Sequence, residues 1–190
     1  RDAERRSITT VKLEGSGTIA VIGDGMTGPA AAGVVLVNAS NNVNVTGAGA
    51  SIVGATSATI TTTGAGDITV WNAGFSDASI NSTGTLTIAL DGAGGLDIAG
   101  NGATFVEAAA GVTVTDGGGI SNLTLSGMDA ELRSTNAGAN VVININGTVT
   151  LSGAEAQVTA HGSATSDIII VADNVLPPGV GTAAEQTRLE

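Results

Sequence analysis

The chain has 190 residues, of which 29 are glycine, none is cysteine and only 2% are aromatic. This composition excludes a disulfide-stabilised scaffold, a collagen repeat and a coiled coil, while an apolar fraction of 42% is too high for a disordered chain. Seventeen acidic and six basic residues give a net charge of −11, which disfavours nucleic acids and anionic membrane surfaces as partners. No apolar run approaches the roughly 18 residues that span a bilayer, so we expect no membrane insertion.

Short segments that alternate apolar and small polar residues follow one another along the chain. Their period of two and their many β-branched residues predict strands throughout and almost no helix. In chain order, the clearest segments are 18–22, 43–45, 59–61, 67–70, 85–90, 112–115, 122–125, 141–146, 148–151, 157–159 and 167–171. Nearly all of them are followed by Gly, Asn or Asp, which is typical of tight turns.

The spacing of these strands indicates a repeating unit of three. Strand centres near 52, 80, 105, 132 and 158 lie 25–28 residues apart, and centres near 69, 97, 124 and 150 lie 26–28 residues apart. Coils of this length predict an all-β fold, a single-stranded right-handed parallel β-helix (a β-solenoid) in which each strand stacks on its equivalent in the next coil. The third series of strand centres, near 60, 87, 113 and 144, is less regularly spaced, which predicts a longer loop at 136–140. A β-sandwich is the alternative, although the chain lacks the large side chains that fill the space between two sheets.

The strand pattern divides the chain into three parts. We expect a polar N-terminal segment or cap at 1–12, a β-solenoid domain at 13–173 and a C-terminal tail at 174–190, with both terminal segments covering exposed strand edges. The final Leu189–Glu190 dipeptide is typical of a vector-derived junction. Because the chain begins with Arg1 and has no signal peptide, we expect it to be a mature or excised piece of a longer protein.

Three phrases carry a resemblance to known proteins. They are GAGDITV at 64–70, GTLTI at 84–88 and GTVTLSG at 147–153. With them, residues 45–172 resemble the passenger regions of bacterial autotransporter adhesins and the head GIN domain adhesin-like family. The resemblance implies an extracellular or cell-surface bacterial β-solenoid with a structural or adhesive role and no catalytic motif. We therefore expect a non-enzymatic module of an adhesin, surface layer or matrix, with other copies, surface proteins or glycans as partners.

The segment 91–98 is superficially similar to the glycine–aspartate repeat of calcium-binding β-rolls, with Asp91 and Asp97 as candidate ligands. However, Ala93 occupies an expected glycine position, and Val106 stands where the next repeat would need an aspartate. Since the shared calcium site needs ligands from consecutive turns, structural turn glycines are the favoured interpretation. We expect no cofactor and at most weak calcium binding.

Asp129 and Glu131 form the clearest carboxylate pair, because residues two apart on a strand share one face. Paired acids can hydrolyse glycosidic bonds, so the alternative function is a carbohydrate-binding or polysaccharide-degrading β-helix. We expect Arg133 to neutralise the pair in a surface ladder instead. Trp71, the remaining candidate for ligand binding, pairs with Phe75 either as an exposed contact or, as we favour, as a plug over the core.

Overall fold

The computed structural model describes most of the chain between Thr10 and Leu176. The described residues are 10–15, 19–24, 30–31, 34–39, 42–48, 51–54, 57–62, 65–72, 78–90, 93–152, 155–161 and 165–176. Within them the fold is all-β, and no helix is long and apolar enough to cross a bilayer.

The described residues form twenty short strands. In chain order they are β1 Thr10–Gly15, β2 Ile19–Asp24, β3 Ala30–Ala31, β4 Val34–Ala39, β5 Val43–Ala48, β6 Ser51–Gly54, β7 Ser57–Thr62, β8 Ile68–Asn72, β9 Ala78–Ser82, β10 Thr85–Leu90, β11 Leu96–Gly100, β12 Thr104–Ala108, β13 Val112–Asp116, β14 Leu123–Gly127, β15 Ala130–Ser134, β16 Val141–Asn144, β17 Thr148–Leu151, β18 Gln157–Thr159, β19 Ile168–Val171 and β20 Asn174–Leu176. The twelve strand centres predicted for the four coils between 52 and 150 all fall within, or at the end of, one of these strands.

Three parallel sheets are assembled by taking every third strand. Sheet A has the order β1-β4-β7-β10-β13-β16-β19, sheet B has β2-β5-β8-β11-β14-β17-β20, and sheet C has β3-β6-β9-β12-β15-β18. Every strand pairs in parallel with its equivalent one coil away, for example Ile60 with Ile88 and Ile88 with Val114. This arrangement confirms the predicted parallel β-solenoid, and the β-sandwich alternative is wrong. The predicted loop at 136–140 lies between β15 and β16.

The interior is filled by columns of aliphatic side chains. Alternate residues of each strand point inward, and the pairing register places them directly above one another. One column in sheet C runs Ile52, Ile80, Val106, Leu132 and Val158, all of them fully buried. Burying each such side chain contributes about 1.5–3 kcal/mol. Among the described residues no aromatic side chain is buried, so the core is built from slim side chains, as the composition predicts.

Polar side chains at the corner before sheet B join consecutive coils. The Oδ1 atom of Asn42 accepts a hydrogen bond from the Asp67 N–H at 3.0 Å, and Asp67 Oδ1 accepts one from the Gly95 N–H at 2.8 Å. In later coils Asn122 Oδ1 accepts from the Thr148 N–H at 3.0 Å. These bonds satisfy backbone donors at the corners, where the strand ladders end.

The described strands reach beyond both predicted limits of the solenoid domain. Strand β1 begins three residues before position 13, and β20 ends three residues after position 173. Whether the terminal segments cap the solenoid is a question about residues 1–9 and 177–190, which lie outside the described residues.

Candidate functional site

A cluster of charged and aromatic side chains lies on the outer face of sheet C, where β12, β15 and β18 stack in register. One outward column contains Phe105, Glu131 and Gln157, and the next contains Glu107, Arg133 and Thr159. Alternation along each strand makes all six side chains point away from the core. Because equivalent strands lie about 4.8 Å apart, side chains in neighbouring coils can bind one another.

Arg133 connects two carboxylates from different coils. Its Nε atom donates a hydrogen bond to Glu107 Oε2 at 2.6 Å, and its Nη1 atom donates to Glu131 Oε2 at 2.5 Å. Burial alone would lower the pKa of the guanidinium, but the hydrogen bond to Glu107 and the charge of Glu131 outweigh burial and raise that pKa. The guanidinium carbon also lies 4.8 Å from the centre of the Phe105 ring, a cation–π distance. Arg133 therefore holds three neighbours in place.

Glu131 uses both oxygens of its carboxylate within the protein. While Oε2 accepts from Arg133, Oε1 accepts a hydrogen bond from the Thr159 hydroxyl at 2.8 Å. Only 14% of the side chain is exposed. Both oxygens are therefore already used as hydrogen-bond acceptors by neighbouring side chains.

The sequence predicted that Asp129 lies on the same strand as Glu131. In the structure, Asp129 lies in the turn immediately before β15. Its φ of 57° is left-handed, and so is the φ of 61° at Glu155, which precedes β18 in the next coil. A hydrogen bond from Glu155 to Asp129 raises the pKa of Glu155, the negative charge of Asp129 raises it further, and slight desolvation acts in the same direction. Thus the prediction that Arg133 neutralises both acids is correct for Glu131 and wrong for Asp129.

A shallow depression of about 230 Å³ brings the two predicted acids together. Its lining residues are Ala103, Phe105, Asp129, Glu131, Arg133 and Gln157. Sequence reasoning missed Phe105 and Gln157, which lie 26 residues before and after Glu131 and pair with it directly. The predicted coil length places them near Glu131, but its range of 25–28 residues does not determine which residues pair.

Trp71 lies apart from this depression, on the outer face of sheet B. Its register partners are Thr46 in the preceding coil and Ala99 in the following one, and it is 42% exposed. It therefore does not cover the core, and the plug interpretation is wrong for Trp71. Phe75, the other half of that prediction, lies outside the described residues.

Asp97, one of the two predicted calcium ligands, also lies on the outer face of sheet B and is half-buried. Burial raises the pKa of its carboxyl, the charge of Asp67 raises it further, and a hydrogen bond with Thr124 opposes both. Asp91, the other predicted ligand, lies outside the described residues. Among the described residues, no group of three or more His, Cys, Asp or Glu side chains is placed to hold a metal ion.

No protein-family model, curated protein or solved structure matches the sequence. No relative therefore assigns a role to any residue of the depression. Its chemistry follows from the side chains that line it: one cation, two acids, an amide and an aromatic ring.

Proposed function

We propose that this chain is a non-catalytic structural or adhesive module of a secreted or cell-surface bacterial protein. The observation that carries the proposal is the state of the candidate acid pair. Glu131 is occupied by Arg133 and Thr159, while Asp129 lies in the turn before β15 beside a second acid, Glu155 of the next coil. Since both oxygens of Glu131 are engaged by side chains of the protein, Glu131 resembles a link between coils more than one member of an acid–base pair.

The architecture supports a structural role. Hydrogen bonds in three sheets and at the corners connect each coil only to its neighbours, which produces a rod held together along its whole length. Rods of this kind present long side faces for contacts with other copies, surface proteins or glycans. The net charge of −11 keeps such a rod soluble and repels nucleic acids.

One observation favours carbohydrate binding as a second candidate. The depression combines the Phe105 ring with the polar groups of Asp129 and Gln157, which suit contacts to sugar hydroxyls. However, Arg133 lies over the ring and covers the face on which a sugar would stack. Binding there would use the polar groups and the ring edge, so we expect it to be weak.

Hydrolysis assays on a panel of polysaccharides, run with the intact chain, test the proposal. We expect no product release, together with retention of chain-coated beads on bacterial or host cell surfaces. Turnover that is lost in Glu131→Gln but kept in Glu107→Gln would contradict a non-catalytic role, because Glu107 bonds the same arginine without lining the depression. For the second candidate, a glycan array should show binding that Gln157→Ala removes.

A further inference from the structure

On the outer face of sheet A, three neighbouring strands (β7, β10 and β13) carry an ordered array of hydroxyl groups. Three consecutive strands each place threonines at alternate, outward positions: Thr59 and Thr61 in β7, Thr85 and Thr87 in β10, and Thr113 and Thr115 in β13. Ser57 begins the first row, and Ala89 interrupts the second. We call these eight positions the threonine face.

Strand pairing fixes the two repeat distances of this face. Thr59 pairs with Thr87 and Thr87 with Thr113, so their hydroxyls form a column across the strands with a spacing of about 4.8 Å. Along each strand, outward residues repeat at roughly 6.6 Å, which is two residue rises. Threonine is branched at Cβ and has restricted rotation at χ1, so the array is also rigid at the level of its side chains.

The hydroxyls of the threonine face are free to bind an external partner. Within the described residues, none of them forms a hydrogen bond to another part of the protein. The outer face of sheet C differs, because Thr159 there donates to Glu131. Moreover, the outward positions of β7, β10 and β13 contain no charged residue, although the whole chain carries a net charge of −11.

These properties select the chemistry of the partner. An uncharged face offers nothing to an ion or to a charged polymer, so it suits an uncharged partner. A two-dimensional array of fixed spacing suits a partner that is itself a lattice. Alternating hydroxyl and methyl groups suit ordered water, because hydroxyls enter its hydrogen-bond network and methyl groups fill its open spaces.

We propose that the threonine face binds the surface of ice. Ice is an uncharged lattice of hydrogen-bond donors and acceptors, so a rigid array of hydroxyl groups at fixed spacings suits it in both chemistry and order. A crystalline polysaccharide is a poorer match, because sugar rings bind through aromatic platforms and the face has no aromatic side chain. The inference concerns sheet A and does not rest on the function proposed above from sheet C.

Ice growth in the presence of the intact chain tests the inference. We expect the chain to shape growing ice crystals and to slow recrystallisation in a frozen sucrose film. Thr87→Lys places a long charged side chain at the centre of the array, and it should restore crystal growth to the rate in buffer. Thr113→Lys, in the next row, provides a second variant should the first be poorly folded.

Thr150→Lys is the matched control, because Thr150 occupies an outward position of β17 in sheet B and lies off the threonine face. It should behave like the unmodified chain, and urea unfolding should show that the variants being compared are folded. The inference is overturned if the unmodified chain leaves ice growth unchanged, or if Thr87→Lys and Thr150→Lys have equal effects. Sedimentation with crystalline cellulose but no effect on ice would also overturn it.

Discussion

Arg133 shows that side-chain contacts on the outer face of sheet C depend on which residues the coil length places side by side. The sequence placed Arg133 beside Glu131, and the structure confirms that contact. The second partner, Glu107, lies 26 residues earlier and faces Arg133 only because β12 and β15 pair in that register. Phe105 and Gln157 were missed for the same reason. Side-chain contacts between coils could not be predicted from local pattern alone, because one residue of error in coil length changes every pair.

The raised pKa of Glu155 predicts that its effect on stability depends on pH. An acid whose pKa is higher in the folded state than in the unfolded chain destabilises the fold once the pH exceeds the unfolded value. The pKa of Glu155 is raised from its ordinary value of 4.5, so its cost should be present at neutral pH and absent well below 4.5. Glu155→Gln should therefore raise the urea midpoint at neutral pH, and the gain should disappear on acidification.

Glu107→Gln is the control for that experiment, since it removes a carboxylate that Arg133 binds. This variant should lower the urea midpoint at neutral pH, opposite in sign to Glu155→Gln. A gain for Glu155→Gln that persisted unchanged in acid would show that removal of the charge is not its cause.

At the scale of strands and turns, the sequence predicted most of what the structure contains. The segments 85–90, 148–151 and 157–159 match β10, β17 and β18 at both ends. Alternation and β-branching specify a strand locally, so these elements need no long-range information. The left-handed turns were harder to predict from the sequence, because Asp129 and Glu155 adopt a backbone conformation in which glycine is usually found.

Gly127 offers a prediction about the turns. It has a φ of +102°, and a Cβ added there would lie 2.1 Å from the carbonyl oxygen of Gly100 in the preceding coil. Gly118 has a similar φ of +116° with no atom within 4 Å of its added Cβ. Gly118→Ala should lower the free energy of unfolding only through backbone strain, by about 1–3 kcal/mol. Gly127→Ala should lower it by more, because two coils must also separate.

Chemical denaturation of the two glycine variants measures this difference directly. The larger loss for Gly127→Ala should be accompanied by faster amide exchange in β11 and β14, the strands that Gly100 and Gly127 end. Equal losses for the two variants would mean that the close approach between coils does not contribute.

At the scale of the molecule, the last coil differs from those before it. In β19 the outward residues are Ile169 and Val171, which are 44% and 58% exposed, whereas the equivalent positions of β13 are Thr113 and Thr115. Since the inward Ile168 and Ile170 are also apolar, this strand is hydrophobic on both sides. In the part of the chain that the structure describes, β19 is also the last strand of sheet A. Apolar edge strands of this kind pair readily with other chains.

We therefore predict that the last coil controls self-association. The double variant Ile169→Thr, Val171→Thr restores the hydroxyl pattern of β13 and should reduce concentration-dependent light scattering. Val142→Thr makes a similar change in β16, which is paired on both sides, and should leave scattering unchanged. If the double variant associates as strongly as the original chain, β19 is not the contact.

The in-register stacking of coils also determines how the molecule can change in length. Leu86 pairs with Val112, so residues 86–111 form one complete circuit of the three sheets. A second copy of that stretch, inserted in tandem, would set each aliphatic residue on the column it already belongs to. The rod would then become longer by one strand spacing, about 4.8 Å, with its cross-section unchanged. Duplication or loss of a single gene segment could thus adjust the reach of the protein in small, equal steps.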